Sequence, residues 1–325
     1  MNQVNILRRN GVFDSKAPRY TSYPPANRFE LGVGARHQRA WMGAVSPAVP
    51  VSLYVHIPFC RRLCWFCACR TQGTKTLAPV EKYIDTLVRE IAAVAGQHLP
   101  PGLRMGRLHL GGGTPTLLSE ALMTRLLDAL WSGFTRDEEF EFSVEIDPTD
   151  AAPEVLDAMM RRNLDRASIG VQDFEPRVQA AIGRVQSFED TQAVVARLRQ
   201  GGVRSLNIDL LYGLPYQTED SLRHTLQHVI ALRPDRLALY GYAHVPHISK
   251  RQVMIPDAAL PGGVERFAMS QMARDHLVAE GFVDIGIDHF ARPEDRLAVA
   301  ARAGTLTRNF QGYTDDTCET LIGLG

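Results

Sequence analysis

Cys60, Cys64 and Cys67 stand in the run His56-Ile-Pro-Phe-Cys-Arg-Arg-Leu-Cys-Trp-Phe-Cys, three thiols on one short stretch of chain. Thiolates hold iron–sulfur clusters, usually four at a time, so three cysteines leave one iron of a [4Fe-4S] cluster without a protein ligand. That open iron suits a substrate or a cofactor. A structural zinc site, completed by Cys69 or by a histidine, is the other chemistry the spacing allows. Further on, Gly111-Gly112-Gly113-Thr114-Pro115-Thr116 follows the apolar stretch Leu108-His109-Leu110. Glycine lets backbone N–H and C=O groups approach a ligand where a β-carbon would clash, although a plain strand-to-helix turn would use the same residues.

These residues need a frame, and the chain supplies one. Short β-rich runs at 51–57, 105–110, 140–146, 166–171, 205–211 and 236–242 alternate with segments whose apolar residues recur at helical spacing. Val80, Ile84, Leu87 and Ile91 form one such helical stripe; Leu222, Leu226 and Val229 form another. Six βα units predict a parallel sheet in an α/β fold, and six fit an open partial barrel better than a closed eight-stranded one. Gly201-Gly202 and Pro234 stand where helices should stop. In parallel barrels chemistry gathers at the C-terminal ends of the strands. The cysteines follow the first run and the glycines the second, while Glu145 ends the third, Gln172 follows the fourth, Asp209 lies late in the fifth and Ala243 follows the sixth. Asp209 is set among apolar neighbours, where a carboxylate needs a partner such as a ribose hydroxyl or a cation.

Composition narrows the function classes. The 325 residues carry 36 Lys plus Arg against 36 Asp plus Glu, so no basic excess invites nucleic acid or anionic lipid. Four of the five cysteines fall between positions 60 and 69, which is ligand clustering and not a secreted disulfide framework, and it implies a reducing cytoplasm. No apolar stretch approaches the roughly 18 residues of a membrane helix.

The cysteine spacing and the glycine run together resemble the radical S-adenosylmethionine (SAM) enzymes. Beyond that core, Pro18-Arg19-Tyr20-Thr21-Ser22-Tyr23-Pro24, the CxxxCxxCxC that ends in Cys69, Val171-Gln172-Asp173-Phe174, Asn207 to Pro215, Asp288 to Pro293 and Asn309 to Thr314 resemble the oxygen-independent coproporphyrinogen III oxidases. This resemblance implies a partial (β/α)6 radical SAM barrel over residues 51–250, an N-terminal arm over the site at 1–50, and a C-terminal extension of the barrel at 251–325. It implies an oxidoreductase of haem biosynthesis that decarboxylates two propionates of coproporphyrinogen III through a 5′-deoxyadenosyl radical. The cofactors implied are a [4Fe-4S] cluster and SAM, two molecules side by side. Cys60, Cys64 and Cys67 match the cluster ligands; Cys69 matches a fourth cysteine that does not bind the cluster. Tyr54, Phe66, Gly112, Gly113 and Thr114 match positions that contact SAM. So do Glu145, Gln172, Arg184, Asp209 and Ala243, and Tyr54 and Cys69 are the candidate catalytic side chains.

Arg184 suits a carboxylate, since its planar fork pairs with both oxygens; without the family it is a surface arginine at the start of a helix. The family's partners would be the porphyrinogen, an electron donor and an electron acceptor, acting on a monomer with no nucleic acid or membrane. Two other functions share the barrel. A haem chaperone lacks Cys69 and the arm, and in a methyltransferase that opens haem the fourth cysteine is unexpected. Family members continue past Leu321-Ile322-Gly323-Leu324-Gly325, so a fragment lacking a helical domain is expected, and Cys318 is expected to be an incidental thiol.

Overall fold

The structure, a computed structural model, describes residues 3–13, 22–25 and 28–325. Residues 18–21 of the proline-rich N-terminal motif lie outside the described residues.

Six parallel strands carry the fold: β1 (Val51–Ile57), β2 (Arg104–Gly112), β3 (Thr135–Ile146), β4 (Leu164–Gln172), β5 (Ser205–Tyr212) and β6 (Arg236–Gly241). Helices α1 (Ala78–Ala93), α2 (Glu120–Gly133), α3 (Pro153–Met160), α4 (Phe188–Gln200) and α5 (Glu219–Ala231) cross between them. The helical stripes are real: Val80, Ile84, Leu87 and Ile91 are the buried residues of α1. Serine or threonine caps start α2, α4 and α5, where Ser119, Ser187 and Thr218 each accept a backbone N–H of the first turn.

The last quarter of the chain adds α6 (Gly263–Ala279), β7 (Val283–Gly286), β8 (His289–Ala291), α7 (Arg296–Ala303) and β9 (Leu321–Leu324). These strands extend the same sheet, in the order β9-β1-β2-β3-β4-β5-β6-β8-β7. Strand β9 lies parallel to β1, with Ser52 opposite Leu321, and β8 is antiparallel to both β6 and β7. The glycine-rich end at 321–325 is thus a strand, with Ile322 and Leu324 turned into the core.

Each strand alternates. Leu53, Leu108, Val144, Ile169, Ile208 and Leu237 are buried against the helices. The intervening residues face the concave side and are mostly polar, as Ser52, Tyr54, Arg107, His109, Ser143, Ser168 and Asn207 show, with Gly170 and Ala238 among them. A buried parallel sheet ordinarily reads as a continuous apolar run, so this alternation means a polar barrel interior. Its lower end is closed by ions. Asp315 draws four guanidinium groups, from Arg236 at 3.1 Å, Arg296 at 3.2 Å, Arg107 at 3.5 Å and Arg166 at 3.6 Å. Glu141 and Asp295 complete the layer through Arg166 and Arg236.

Candidate active site

The loop after β1 is held from several sides before any ligand is considered. Phe59–Cys60 pairs with Gln72–Gly73 in a short parallel ladder that closes the loop on itself. Trp65 N–H donates to the Ile182 carbonyl at 2.9 Å, and Ser249 Oγ donates to the Cys67 carbonyl at 2.9 Å. Gln252 Nε2 donates to the Phe66 carbonyl at 2.8 Å. Cys64 is buried, Cys60 and Cys67 are partly exposed, and Cys69 is exposed. The backbone N–H of Cys69 points at Cys67 Sγ across 3.4 Å. A hydrogen bond from the Cys69 thiol, joined by that backbone N–H, lowers the pKa of Cys67 and favours its thiolate, and the thiol–thiol bond, with burial, holds Cys69 protonated. Burial pushes Cys60 up.

The glycine loop comes against this one. Gly112 has φ +114°, a conformation side chains rarely adopt, and a β-carbon on Gly113 would stand 2.4 Å from the Phe59 carbonyl oxygen and 3.0 Å from Cys60 Sγ. The triple glycine therefore lets the two loops touch. Gly112 N–H donates to Glu145 Oε2 at 3.1 Å, which fixes the carboxylate at the end of β3.

A cavity of about 460 Å³ opens between these loops and the barrel interior. All the candidate residues line it except Ala243, which is exposed and whose carbonyl accepts from Gln252 Nε2 at 3.1 Å. His56 Nε2 is 3.0 Å from the Arg70 carbonyl and so carries the proton; Nδ1 is left to accept from the Tyr54 hydroxyl at 3.0 Å. Burial, with Glu145 nearby, pushes Tyr54 well above its ordinary pKa, so it stays a neutral phenol. Asp209 finds its partners inside the protein: Ser168 Oγ at 2.8 Å and Asn207 Nδ2 at 2.7 Å. Burial still pushes its pKa up to about 6. Phe66 packs with Trp65 against Val178, Ile182 and Leu214.

Arg184 departs from the bare sequence reading. It is buried in the loop before α4 and does not open a helix. Nη1 donates to Asp147 at 2.9 Å and reaches Cys64 Sγ at 3.5 Å, and Nη2 donates to the Gly170 carbonyl at 2.7 Å. Its Nε is buried with no hydrogen-bond partner.

Several site residues escaped the sequence reasoning. Asp147 escaped because its role is to pair with Arg184, a contact the chain makes only when folded. His109 bonds Ser143 at 2.7 Å and approaches Glu145 at 3.4 Å. From the C-terminal extension, Gln311 Nε2 reaches Glu145 at 3.2 Å and Phe310 sets its ring 4.7 Å from Tyr54, edge-on. The Tyr23 N–H bonds the Asn309 carbonyl at 2.8 Å, which ties the described end of the N-terminal motif to that turn. The signal for His109 was the polar alternation along β2.

Residues 54–229 match the family model described as the radical SAM superfamily. The whole chain aligns at 54% identity with 72% of an oxygen-independent coproporphyrinogen III oxidase from Cereibacter sphaeroides, and at 52% with one from Paracoccus denitrificans, also over 72% of its length. The chain belongs to this oxidase family within the radical SAM superfamily. The solved coproporphyrinogen III oxidase from Escherichia coli, described as a radical SAM enzyme, superposes on 94% of this chain and 70% of that one, with a TM-score of 0.89 at 42% identity. Radical SAM enzymes use a [4Fe-4S] cluster and SAM, and the residues present fit both. Among the described residues, no three His, Cys, Asp or Glu side chains gather closely about one point. A cluster asks for another arrangement, because each thiolate binds its own iron. Arg184 lines the cavity and brings a positive charge to it, with its buried Nε left without a hydrogen-bond partner.

Proposed function

We propose that this site performs the oxygen-independent oxidative decarboxylation of coproporphyrinogen III to protoporphyrinogen IX. What carries the reading is one convergence. The three cysteines of the CxxxCxxC loop, the Gly112–Thr114 turn and Glu145 open on a single cavity, in a chain that aligns from end to end with oxidases of that name.

In this reading Cys60, Cys64 and Cys67 hold the [4Fe-4S] cluster and leave one iron for SAM. When bound, cluster and SAM supply the one-electron chemistry that removes hydrogen from an unactivated C–H bond, which no side-chain acid or base can do. The protein's share is placement. Glu145, fixed by the Gly112 N–H and Gln311, receives an ammonium group; Arg184 supplies positive charge to a carboxylate; Asp209, held by Ser168 and Asn207, accepts from hydroxyls. Gln172, Thr114, Gly113 and Phe66 complete the walls for a pair of SAM molecules, while Ala243 lies off the cavity with its carbonyl bonded to Gln252. Tyr54 keeps its proton and its hydrogen bond to His56, and the Phe310 ring edge packs on it and shields that side from water. Cys69 donates to Cys67 and stays off the metal.

Residues 1–50 act as an arm, 51–250 as the barrel and 251–325 as its extension, in a monomer that works in the cytoplasm with a separate electron donor and acceptor. No helix among the described residues is long and apolar enough to cross a membrane. The test is anaerobic incubation of the reconstituted protein with SAM, a reductant and coproporphyrinogen III. Release of CO2 with a divinyl product is the expected result. Tight haem binding without turnover would make it a chaperone, and methyl transfer would make it a methyltransferase.

A further inference from the structure

Asp173 is completely buried and has no cation beside it. It follows Gln172, a non-glycine residue at φ +70°, where the β4–β5 register slips by a residue between Gly170 and Gln172. Bulges of this kind re-aim a side chain, and a backbone in that region costs about 1–3 kcal/mol unless its surroundings hold it. The result of the bulge is visible at Gly170: a β-carbon there would lie 3.3 Å from Gln172 Nε2 and 3.2 Å from Arg184 Nη2, so both side chains crowd the same spot on the cavity wall.

Neutral donors surround the Asp173 carboxylate. Oδ1 accepts from the Glu175 N–H at 2.6 Å and from Thr225 Oγ1 at 2.9 Å, and Oδ2 accepts from Gln217 Nε2 at 2.6 Å. Gln217 cannot turn its amide over. Its Oε1 receives the Gly213 and Leu214 N–H groups at 2.6 and 3.2 Å, and Nε2 also donates to the Leu211 carbonyl at 3.0 Å. On the other side the Asp173 carbonyl accepts from Gln179 Nε2 at 2.9 Å. That amide also donates to the Gln186 carbonyl at 2.7 Å, two residues past Arg184. One buried network therefore joins the loop after β4, both ends of the segment that carries Arg184, and the loop after β5. Asp173 itself does not line the cavity. Burial drives its pKa upward, so keeping a carboxylate here has a stability cost that an apolar residue would avoid.

We propose that Asp173, paired with Gln217, is a positioning residue that sets Gln172 and Arg184 together on the wall of the SAM site. The proposal rests on the site reading above for the identity of the ligand; the mechanical tie stands on the hydrogen bonds alone. Asp173→Asn turns an amide toward Gln217 Nε2, placing donor against donor, and Gln217→Glu sets carboxylate against carboxylate. Combining the two restores a donor facing an acceptor between 173 and 217, while the carboxylate at 217 still lacks the hydrogen bond that Nε2 gave the Leu211 carbonyl.

The experiment is the double-mutant cycle on the reconstituted enzyme, read as KM for SAM against kcat, with amide hydrogen exchange of 172–186 and 211–217 followed in the same proteins. Each single variant should raise KM for SAM by about tenfold or more, change iron content little and accelerate exchange in both segments. The double variant should recover part of the KM and of the protection, the 172–186 segment more than the 211–217 segment, where the bond to the Leu211 carbonyl stays broken. Single variants with KM and exchange within about twofold of wild type, or a double variant no better than its parents, would overturn the tie. A wild-type protein that binds no SAM would instead sink the reading of the site, and the exchange data would still decide whether Asp173 locks the two loops.

Discussion

At the scale of single residues, Cys67 and Cys69 show how two thiols a residue apart take different parts. Cys69 places its N–H on the neighbouring sulfur and keeps its own proton. Cys69→Ala should therefore retain nearly the full iron content after anaerobic reconstitution, while Cys64→Ala should lose most of it; iron and sulfide analysis separates the two outcomes. Asp209 makes a prediction about pH. Its pKa is raised to about 6 from an unfolded value near 3.9, so the fold favours its protonated form. Its contribution to stability is fully present below about pH 4 and is lost as the pH rises through 6, an effect of up to about 3 kcal/mol. Asp209→Asn should flatten that slope in urea unfolding measured between pH 4 and 7; an unchanged slope would show that the carboxylate titrates normally. The cysteines and glycines were legible because each motif is local. Arg184 was half legible, since the sequence offered its fork but hid Asp147 and Gly170, which occupy most of it.

Elements explain which substitutions the site tolerates. Gly113→Ala pushes a methyl into the Phe59 carbonyl and Cys60 Sγ, so it should lower stability by more than about 2 kcal/mol and strip iron. Gly323→Ala, on β9 with nothing within 4 Å, should shift stability by less than about 1 kcal/mol; comparing their urea midpoints tests the difference. The six parallel strands were readable from β-rich runs broken by helical stripes. The start of β3 was not, because Thr135 to Glu139 is polar and meets β2 through backbone pairing and the Arg104–Asp137 ion pair, across a bulge at Met105 and Arg107. Strands β7, β8 and β9 were missed for a similar reason: with 4, 3 and 4 residues they are too short to show a period. The polar lining of the barrel was written in the alternation of VSLYVHI and SLNIDLL, a signal that a search for apolar runs passes over.

Taken whole, the molecule is an open barrel with an ionic floor, and the C-terminal extension is what completes both. Burial alone would raise the pKa of Asp315, but Arg236, Arg166, Arg107 and Arg296 together hold it below the ordinary carboxylate range. Its stabilisation is present at neutral pH and fades as the pH falls through that lowered value. Asp315→Asn leaves the buried Arg236 and the mostly buried Arg107 and Arg166 short of a counter-charge and should cost about 3 kcal/mol at pH 7; the gap to wild type should narrow in acid, as measured by unfolding at pH 7 and pH 3. The pairing of β9 with β1 reaches further, into synthesis. The strand that leads into the cysteine loop leaves the ribosome about 270 residues before the neighbour that covers its outer edge, an interval of roughly 15 to 55 s. Throughout that time the hydrogen-bonding groups of Val51 to Ile57 on that side face water or passing chains. The cysteine loop that β1 leads into is therefore built beside an open sheet edge until residues 321–324 are made.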